Sequence, residues 1–511
     1  GATDTTNYST FLFALANSCE QFGNYGKAEQ YYLEETFLWK SAVGENHPNY
    51  ATSLNNLAVL YESLGRYAEA EQLYMQAMGI RKVQLGENNP SFAQSLNNLA
   101  FLYESLGRYA EAETLYTQSM GIRKAQLGED HPDYATSLNN LAVLYESLGR
   151  YAEAETLYTQ SMGISKAQLG KGHPDYAVSL NNLAMLYQSI GWYAEAEPLY
   201  MQAIEVVKTQ LGEGHPDYAT SLNNMAALYK SMGRYTVAEQ LLSHAMGIRK
   251  TQLGEGHPDY ATSLNNMAAL YKSMGRYAMA EPLYRKTIEI FRAQMGEEHF
   301  SYATSLNNLA MLYESMGKYA EAGRLLLQGQ QVYLHQLRTV FPSLSEKEKE
   351  QFLHTFTYKF ELFHSFSMKR LEDNPIFTAP QYNNVLLLKG ILLQSGSQKR
   401  ERILASEDTT AIRLFGDWQV LKRQWLQESE IPKSEREQAG IDPEATLVKA
   451  NTLEKELSRR SEAFAEATDT VRTSWQEIQQ GLKPSEAAIE LIRYNWYHKK
   501  WTDTVHYAAL I

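Results

Sequence analysis

Apolar residues recur along most of the chain at steps of three and four. Leu54, Leu57, Ala58 and Tyr61 fall at i, i+3, i+4 and i+7, which places them on one face of a helix. Gly65 ends that helix, because glycine accepts the left-handed conformation just past a helix C-terminus. Ala70, Leu73, Tyr74 and Ala77 mark the buried face of a second helix running toward Leu85 and Gly86. Asn46-His47-Pro48 breaks the chain ahead of this unit, since proline disfavours helix in the residue before it. The pattern predicts a helix hairpin.

That hairpin is repeated. The stretch SLNNLAVLYESLGRYAEAE, Ser53 to Glu71, returns with small changes from Ser95, Ser137, Ser179, Ser221, Ser263 and Ser305, a fixed step of 42 residues. One such hairpin cannot cover its own apolar face, so fixed-period copies stack into a solenoid with a shared core. One period back from Tyr50 lies Tyr8, with Gly23, Tyr25 and Ala28 in register, so eight hairpins are expected, the first and last atypical. The copies at 92–133 and 134–175 are nearly identical.

Leu57, Ala58, Tyr61, Gly65, Tyr67, Ala70, Tyr74 and Ala77 sit at the signature spacings of the tetratricopeptide repeat, and the 42-residue wording is similar to that of kinesin light chains. The resemblance covers about residues 8–340. It implies a mainly α protein: a right-handed superhelix, residues 1–340, whose first helices line a concave groove. It also implies the groove positions, which are Thr52, Asn55, Val59, Glu62 and Ser63, with Asn56 at the border, and their copies. The helix period agrees, since these residues form one stripe.

The stripe carries a paired amide in every copy: Asn55 and Asn56, Asn97 and Asn98, Asn139 and Asn140, Asn181 and Asn182, Asn223 and Asn224, Asn265 and Asn266, Asn307 and Asn308. An amide offers both donor and acceptor. A ladder of them suits the backbone of an extended peptide, at about 0.5–1.5 kcal/mol per hydrogen bond, set against ordering costs of several kcal/mol. The competing use is to bridge neighbouring helices, for one or both members of a pair. One turn on, the residue varies: Val59, Phe101, Val143, Met185, Ala227, Ala269, Met311. The next rung reads Glu62, Glu104, Glu146, Gln188, Lys230, Lys272, Glu314. The amides are expected to hold a backbone while these rungs select side chains, in a groove acidic in its first half and basic around Lys230 and Lys272. The expected partner is a protein or an extended peptide, with self-association as a further mode.

The period ends after Ala322. Residues 341–480 read as a helical connecting region. Ser345 with Glu348 marks a helix start, 383–394 is a strongly apolar helix, 431–445 a linker, and 452–480 a long charged amphipathic helix. From residue 481 the character changes. AAIELIRY and TVHYAALI (504–511) read as two strands around a charged loop, 498–502. Two strands alone are marginal, so the sheet is expected to continue past Ile511. LLLKGILLQ, LKPSEAAIELIRY and WTDTVHYAALI resemble the opening of CHAT domains, the caspase-like α/β modules that follow such arrays in many bacterial proteins. The resemblance covers about 380–511. It implies a His and Cys dyad further along than this sequence, so the chain itself is not expected to be an enzyme. His498 and His506 lie on the strand pair with no nucleophile beside them.

Composition narrows the choices. A net charge of −12 and a pI near 5.6 argue against direct nucleic-acid binding. The one cysteine, Cys19, aligns with Tyr61 and is expected to be a buried core thiol. It excludes an internal disulfide or a cysteine zinc site, and fits the reducing cytoplasm. His47, His131, His173, His215 and His257 recur once per repeat. Packed helices lie about 8–10 Å apart, too far for these histidines to share a metal, so they read as loop residues. Pro198 and Pro282 read as first-turn prolines of second helices. The 35 tyrosines read as repeat packing. No phosphate loop, dinucleotide fingerprint, zinc-helix or nucleophile-elbow motif occurs, and no cofactor is expected. No apolar run reaches membrane-span length; Val385–Leu393 is short and holds Lys389. Gly1-Ala2 without Met reads as a cloning remnant or an internal start.

Two functions remain open. The chain is the recognition and regulatory arm of a caspase-like protease, or a non-enzymatic scaffold resembling the cargo-binding arm of kinesin light chains.

Overall fold

The computed structural model describes residues 2–340, 346–370, 375–393, 408–431, 436, 440–460, 490–498 and 500–510. The chain divides into two compact units, Gly1–Lys318 and Tyr319–Ile511.

The first unit is a run of hairpins. α1 (Ala2–Gln21) pairs with α2 (Tyr25–Val43), α3 (Pro48–Ser63) with α4 (Tyr67–Leu85), and α5 (Pro90–Ser105) with α6 (Tyr109–Leu127). α7 (Pro132–Ser147) and α8 (Tyr151–Gln168) follow, then α9 (Pro174–Ser189) and α10 (Tyr193–Leu211). α11 (Pro216–Ser231) pairs with α12 (Tyr235–Leu253), and α13 (Pro258–Ser273) with α14 (Tyr277–Met295). α15 (Phe300–Ser315) begins the eighth repeat, whose second helix, α16 (Tyr319–Val340), opens the other unit. Each hairpin packs on the next to form the superhelix.

Each first helix is started and stopped by the residues the sequence singles out. His47 Nδ1 accepts the backbone N–H of Asn49 at 3.1 Å, and Pro48 stands at the first helical position, where a missing N–H costs nothing. Asn89 does the same job for α5 through Ser91 N–H at 2.8 Å. At the other end Gly65 adopts φ +73°, and Arg66 N–H donates to Tyr61 C=O at 2.8 Å, closing a Schellman turn. The recurring histidines are therefore helix caps as well as loop residues. Between helices the core is alanine against tyrosine: Ala58 and Ala70 are fully buried, and Tyr74, Tyr116, Tyr158 and Tyr200 almost so.

Two local expectations need correction. Pro198 and Pro282 are the sixth residues of α10 and α14, one turn deeper than first-turn prolines, and both helices continue past them. Inter-repeat packing carries the helices over the lost hydrogen bond. Cys19 is half-buried, although its counterpart Tyr61 is buried; the smaller side chain fills less of the site.

In the second unit α16 packs on α17 (Glu346–Lys369), which also contacts α18 (Thr378–Leu393) and the first strand below. Tyr333, Phe360, Phe363, Phe366 and Phe377 form its aromatic core. Gly323 is required here: a Cβ at that position would stand 2.0 Å from the Phe377 ring. α19 (Thr409–Glu430) and α20 (Pro443–Arg460) form a further hairpin around Leu414, Phe415, Trp418 and Leu457. β1 (Glu490–His498) pairs antiparallel with β2 (Lys500–Leu510), with a register irregularity between Asn495 and Tyr497. The expected 498–502 loop is thus mostly strand, with only residue 499 between the two. Ser345, most of the 431–445 linker and the 461–480 part of the long helix lie outside the described residues.

Candidate functional site

The expected groove stripe lies along the first helices of the array, and its amide pairs divide. Asn55, Asn97 and Asn223 are buried, while Asn56, Asn98, Asn139, Asn140, Asn181, Asn182, Asn224, Asn265, Asn266, Asn307 and Asn308 are half-buried. The second amide of one repeat donates to the first amide of the repeat before it. Asn98 Nδ2 reaches Asn55 Oδ1 at 2.9 Å, Asn140 reaches Asn97 at 2.9 Å, Asn182 reaches Asn139 at 2.8 Å, and Asn308 reaches Asn265 at 2.9 Å. In these pairs the bridging use holds, and the first amide's oxygen is turned to a neighbouring helix. The bridge is interrupted in mid-array, where Asn181 Oδ1 and Asn223 Oδ1 are buried without a hydrogen-bond partner. Asn223 Nδ2 turns instead to Ser263 Oγ at 3.4 Å.

A second tie runs on the same side. Arg81 donates to Ser91 C=O, Ser95 Oγ and Thr52 Oγ1, joining the second and third repeats. Arg123 and Arg249 repeat the pattern. Ser165, Val207 and Phe291 occupy the equivalent positions elsewhere. The junction of the fifth and sixth repeats therefore lacks both the arginine tie and the amide bridge.

One turn along, the varying rung is open to solvent at four positions, Val59 (40% exposed), Phe101 (52%), Met185 (47%) and Ala227, and half-buried at Val143, Ala269 and Met311. The charged rung is deeper. Each glutamate accepts a phenol from the second helix of its own hairpin: Tyr74 to Glu62 at 2.9 Å, Tyr116 to Glu104 at 3.1 Å, Tyr158 to Glu146 at 3.1 Å. Tyr200 donates to Gln188 at 3.0 Å in the same way. Burial pushes Glu62 and Glu104 up to about 7 and raises Glu146. It lowers Lys230, and it takes Lys272 down to about 8. Where the rung becomes Lys230, the phenol position becomes Leu242.

The sequence reading missed one rung. Glu20 accepts Tyr32 Oη at 3.3 Å, and its carboxyl is raised by burial. Its position is Glu62 minus one period, masked by the divergent wording of the first repeat; the 12-residue Glu–Tyr spacing was the available signal. The reading also missed a contact between distant repeats. His257 Nε2 lies 2.9 Å from Gln21 C=O, and His299 Nε2 lies 3.1 Å from Ser63 C=O, each across 236 residues. The Tyr67 and Phe300 rings lie beside the second contact, with centroids 6.0 Å apart. Between five and six repeats thus bring the superhelix round onto itself.

Among the described residues no group of three or more His, Cys, Asp or Glu side chains could hold a metal ion, and no helix is long and apolar enough to cross a membrane. His498 and His506 fall in β1 and β2, His506 opposite Tyr494 in the register.

The tetratricopeptide-repeat family profile matches residues 6–82, 91–167, 147–209, 175–251, 217–293 and 259–334. No curated protein matches the sequence at a significant level. Among solved structures, the nearly identical TPR-like repeats of a protein described as a kinesin light chain from Podospora anserina are 30% identical. That match covers 40% of this chain and 97% of the other, with a TM-score of 0.35. BtubC (BKLC) from P. vanneervenii is 25% identical over 46% of this chain and 91% of its own, with a TM-score of 0.36. A Rap protein solved with competence and sporulation factor is 14% identical over 72% of this chain and 100% of its own, with a TM-score of 0.42. The repeats, the caps that delimit them and the profile that spans them agree: this chain belongs to the tetratricopeptide-repeat family.

Proposed function

We propose that the array holds an extended segment of a partner protein in its concave groove, and that it serves as the recognition and regulatory arm of a bacterial caspase-like protease of the CHAT type. The groove supports the first half. Its exposed rung changes from Val59 to Phe101 to Met185 while the surrounding frame stays fixed, the arrangement expected of a surface that selects side chains. The second amides, from Asn56 to Asn308, border that rung; Asn98, Asn140, Asn182 and Asn308 each give one N–H to the bridge, so a bound backbone would be held by the rung's side chains and by what the bridges leave over. The β1–β2 hairpin supports the second half, because it follows a helical connecting region as the opening strands of a CHAT domain would.

The test is to read the natural gene onward from Ile511. A further α/β stretch with a His and then a Cys, each ending a predicted strand, supports a protease controlled by this array. A stop codon, or a sheet without that pair, leaves the scaffold alternative, a peptide-holding arm like that of kinesin light chains.

A further inference from the structure

Two cavities lie in the first repeats, and both concern the acidic rungs. The larger, about 850 Å³, is made by two turns of the superhelix. The first turn of the superhelix contributes Glu20, Phe13 and Tyr32, and the second contributes the N-terminal ends of α11 and α13, bearing Asp217 and Asp259. The His257–Gln21 hydrogen bond stands at its edge, and Gly23 lets Pro258 come close: a Cβ there would meet the proline ring at 3.4 Å. The smaller cavity, about 320 Å³, lies between the second and third repeats and is lined by Glu62, Tyr67, Tyr74 and Phe101. Val59 lines both, so the two are neighbours along one trough.

The lining has one sign. Glu20, Asp217, Asp259 and Glu62 line these cavities, and no lysine or arginine does. Glu62 uses one oxygen for Tyr74, while Oε1 is buried with no hydrogen-bond partner. Carboxylates beside aromatic faces suit a cation on an apolar stem, which gains charge-assisted hydrogen bonds and ring contacts together. The spacing adds a rule. Adjacent first helices lie about 10 Å apart, and an extended chain advances about 3.3 Å per residue, so successive acidic rungs match every third residue.

The geometry points to an extended segment with lysine or arginine at every third position, seated in this trough with its first cation between the two turns and its next over Glu62. This rests on the groove reading above and names the chemistry of its partner. Supporting it, burial raises Glu20 and brings Glu62 to about 7, as expected of carboxylates awaiting a counter-charge.

The experiment uses the full chain and three labelled twelve-residue peptides in fluorescence anisotropy. One has lysine at every third position, one has glutamate there, and one has the same lysines clustered at one end. The triplet-lysine peptide should bind best, and Glu20→Gln and Glu62→Gln should each weaken it by about tenfold, the size of one charge-assisted hydrogen bond. Glu205→Gln, on an exposed outer face, should not. Unchanged melting temperatures would exclude misfolding. Equal binding of the glutamate or clustered peptide, or insensitivity to both groove variants, would overturn the proposal. If peptides bind without charge preference and Phe101→Ser abolishes that binding, the groove reading survives alone. If no peptide of any charge binds, both fall.

Discussion

His299 Nε2 lies 3.1 Å from the carbonyl oxygen of Ser63, 236 residues away, while its Nδ1 accepts the backbone N–H of Ser301. One ring therefore caps a helix and joins two turns of the superhelix. The cap needs Nδ1 as acceptor, which leaves the proton on Nε2, where it donates to Ser63. His173 caps α9 in the same way but has no contact from another turn among its hydrogen bonds. The sequence supplies its own control at Asn89, an asparagine that caps without reaching across.

His299→Asn combined with His257→Asn should keep both caps and release the turns. The radius of gyration from small-angle scattering should rise, while the melting temperature changes little. His173→Ala should do the reverse, with about 1 kcal/mol of cap stability lost and no expansion.

The joint should be pH-sensitive with a definite sign. Burial lowers His299 below the ordinary histidine value, so the folded state favours the neutral ring. Its contribution is fully present above the unfolded value near 6.5 and is lost as pH falls through the lowered folded value. Scattering should show expansion on acidification in the wild type and none in the double asparagine variant. Glu62, raised to about 7, protonates over the same descent, which relieves rather than opposes the folded state.

The acidic rungs carry the opposite sign. Glu62 and Glu104 are raised to about 7, so their contribution is present below the unfolded carboxylate value and declines as pH rises through about 7. Glu104→Gln, which keeps an acceptor for Tyr116, should leave the melting temperature unchanged at pH 4, below the unfolded carboxylate value. At pH 8 it should raise stability by on the order of 2 kcal/mol. Gln188, already paired with Tyr200 Oη, shows that the amide fits this rung.

The amide bridges should appear as coupling. Asn97→Ala and Asn140→Ala should be non-additive by about 0.5–1.5 kcal/mol in a double-mutant cycle. Asn181→Ala and Asn224→Ala should be additive, because Asn181 Oδ1 has no partner.

The hairpins, their glycine stops and their count were legible in the sequence, because Leu57, Tyr74 and Gly65 fix periodicity and termination locally and the 42-residue step repeats them; the histidines read as loop residues, and their capping role was not legible. The Schellman turn at Gly65 follows from one residue. That the stripe residues share one helix face was legible for the same reason. The division of labour within each amide pair was not, since Asn55 and Asn56 differ only in which neighbouring helix they meet. The histidine contact between turns was hidden more deeply. It depends on the superhelical pitch, a sum of small rotations over five to six repeats, and no local pattern near His257 encodes where Gln21 will arrive. Pro198 misled because repeat packing, absent from a local rule, carries the helix past it.

The most direct test of the groove as the binding surface is a selection of random extended peptides displayed on phage against the full chain. Selected peptides should lose binding to Phe101→Ser and Met185→Ser and keep binding to Val83→Ser, which alters a residue 78% exposed on a second helix. Retention on both groove variants, or equal loss on Val83→Ser, would contradict the account.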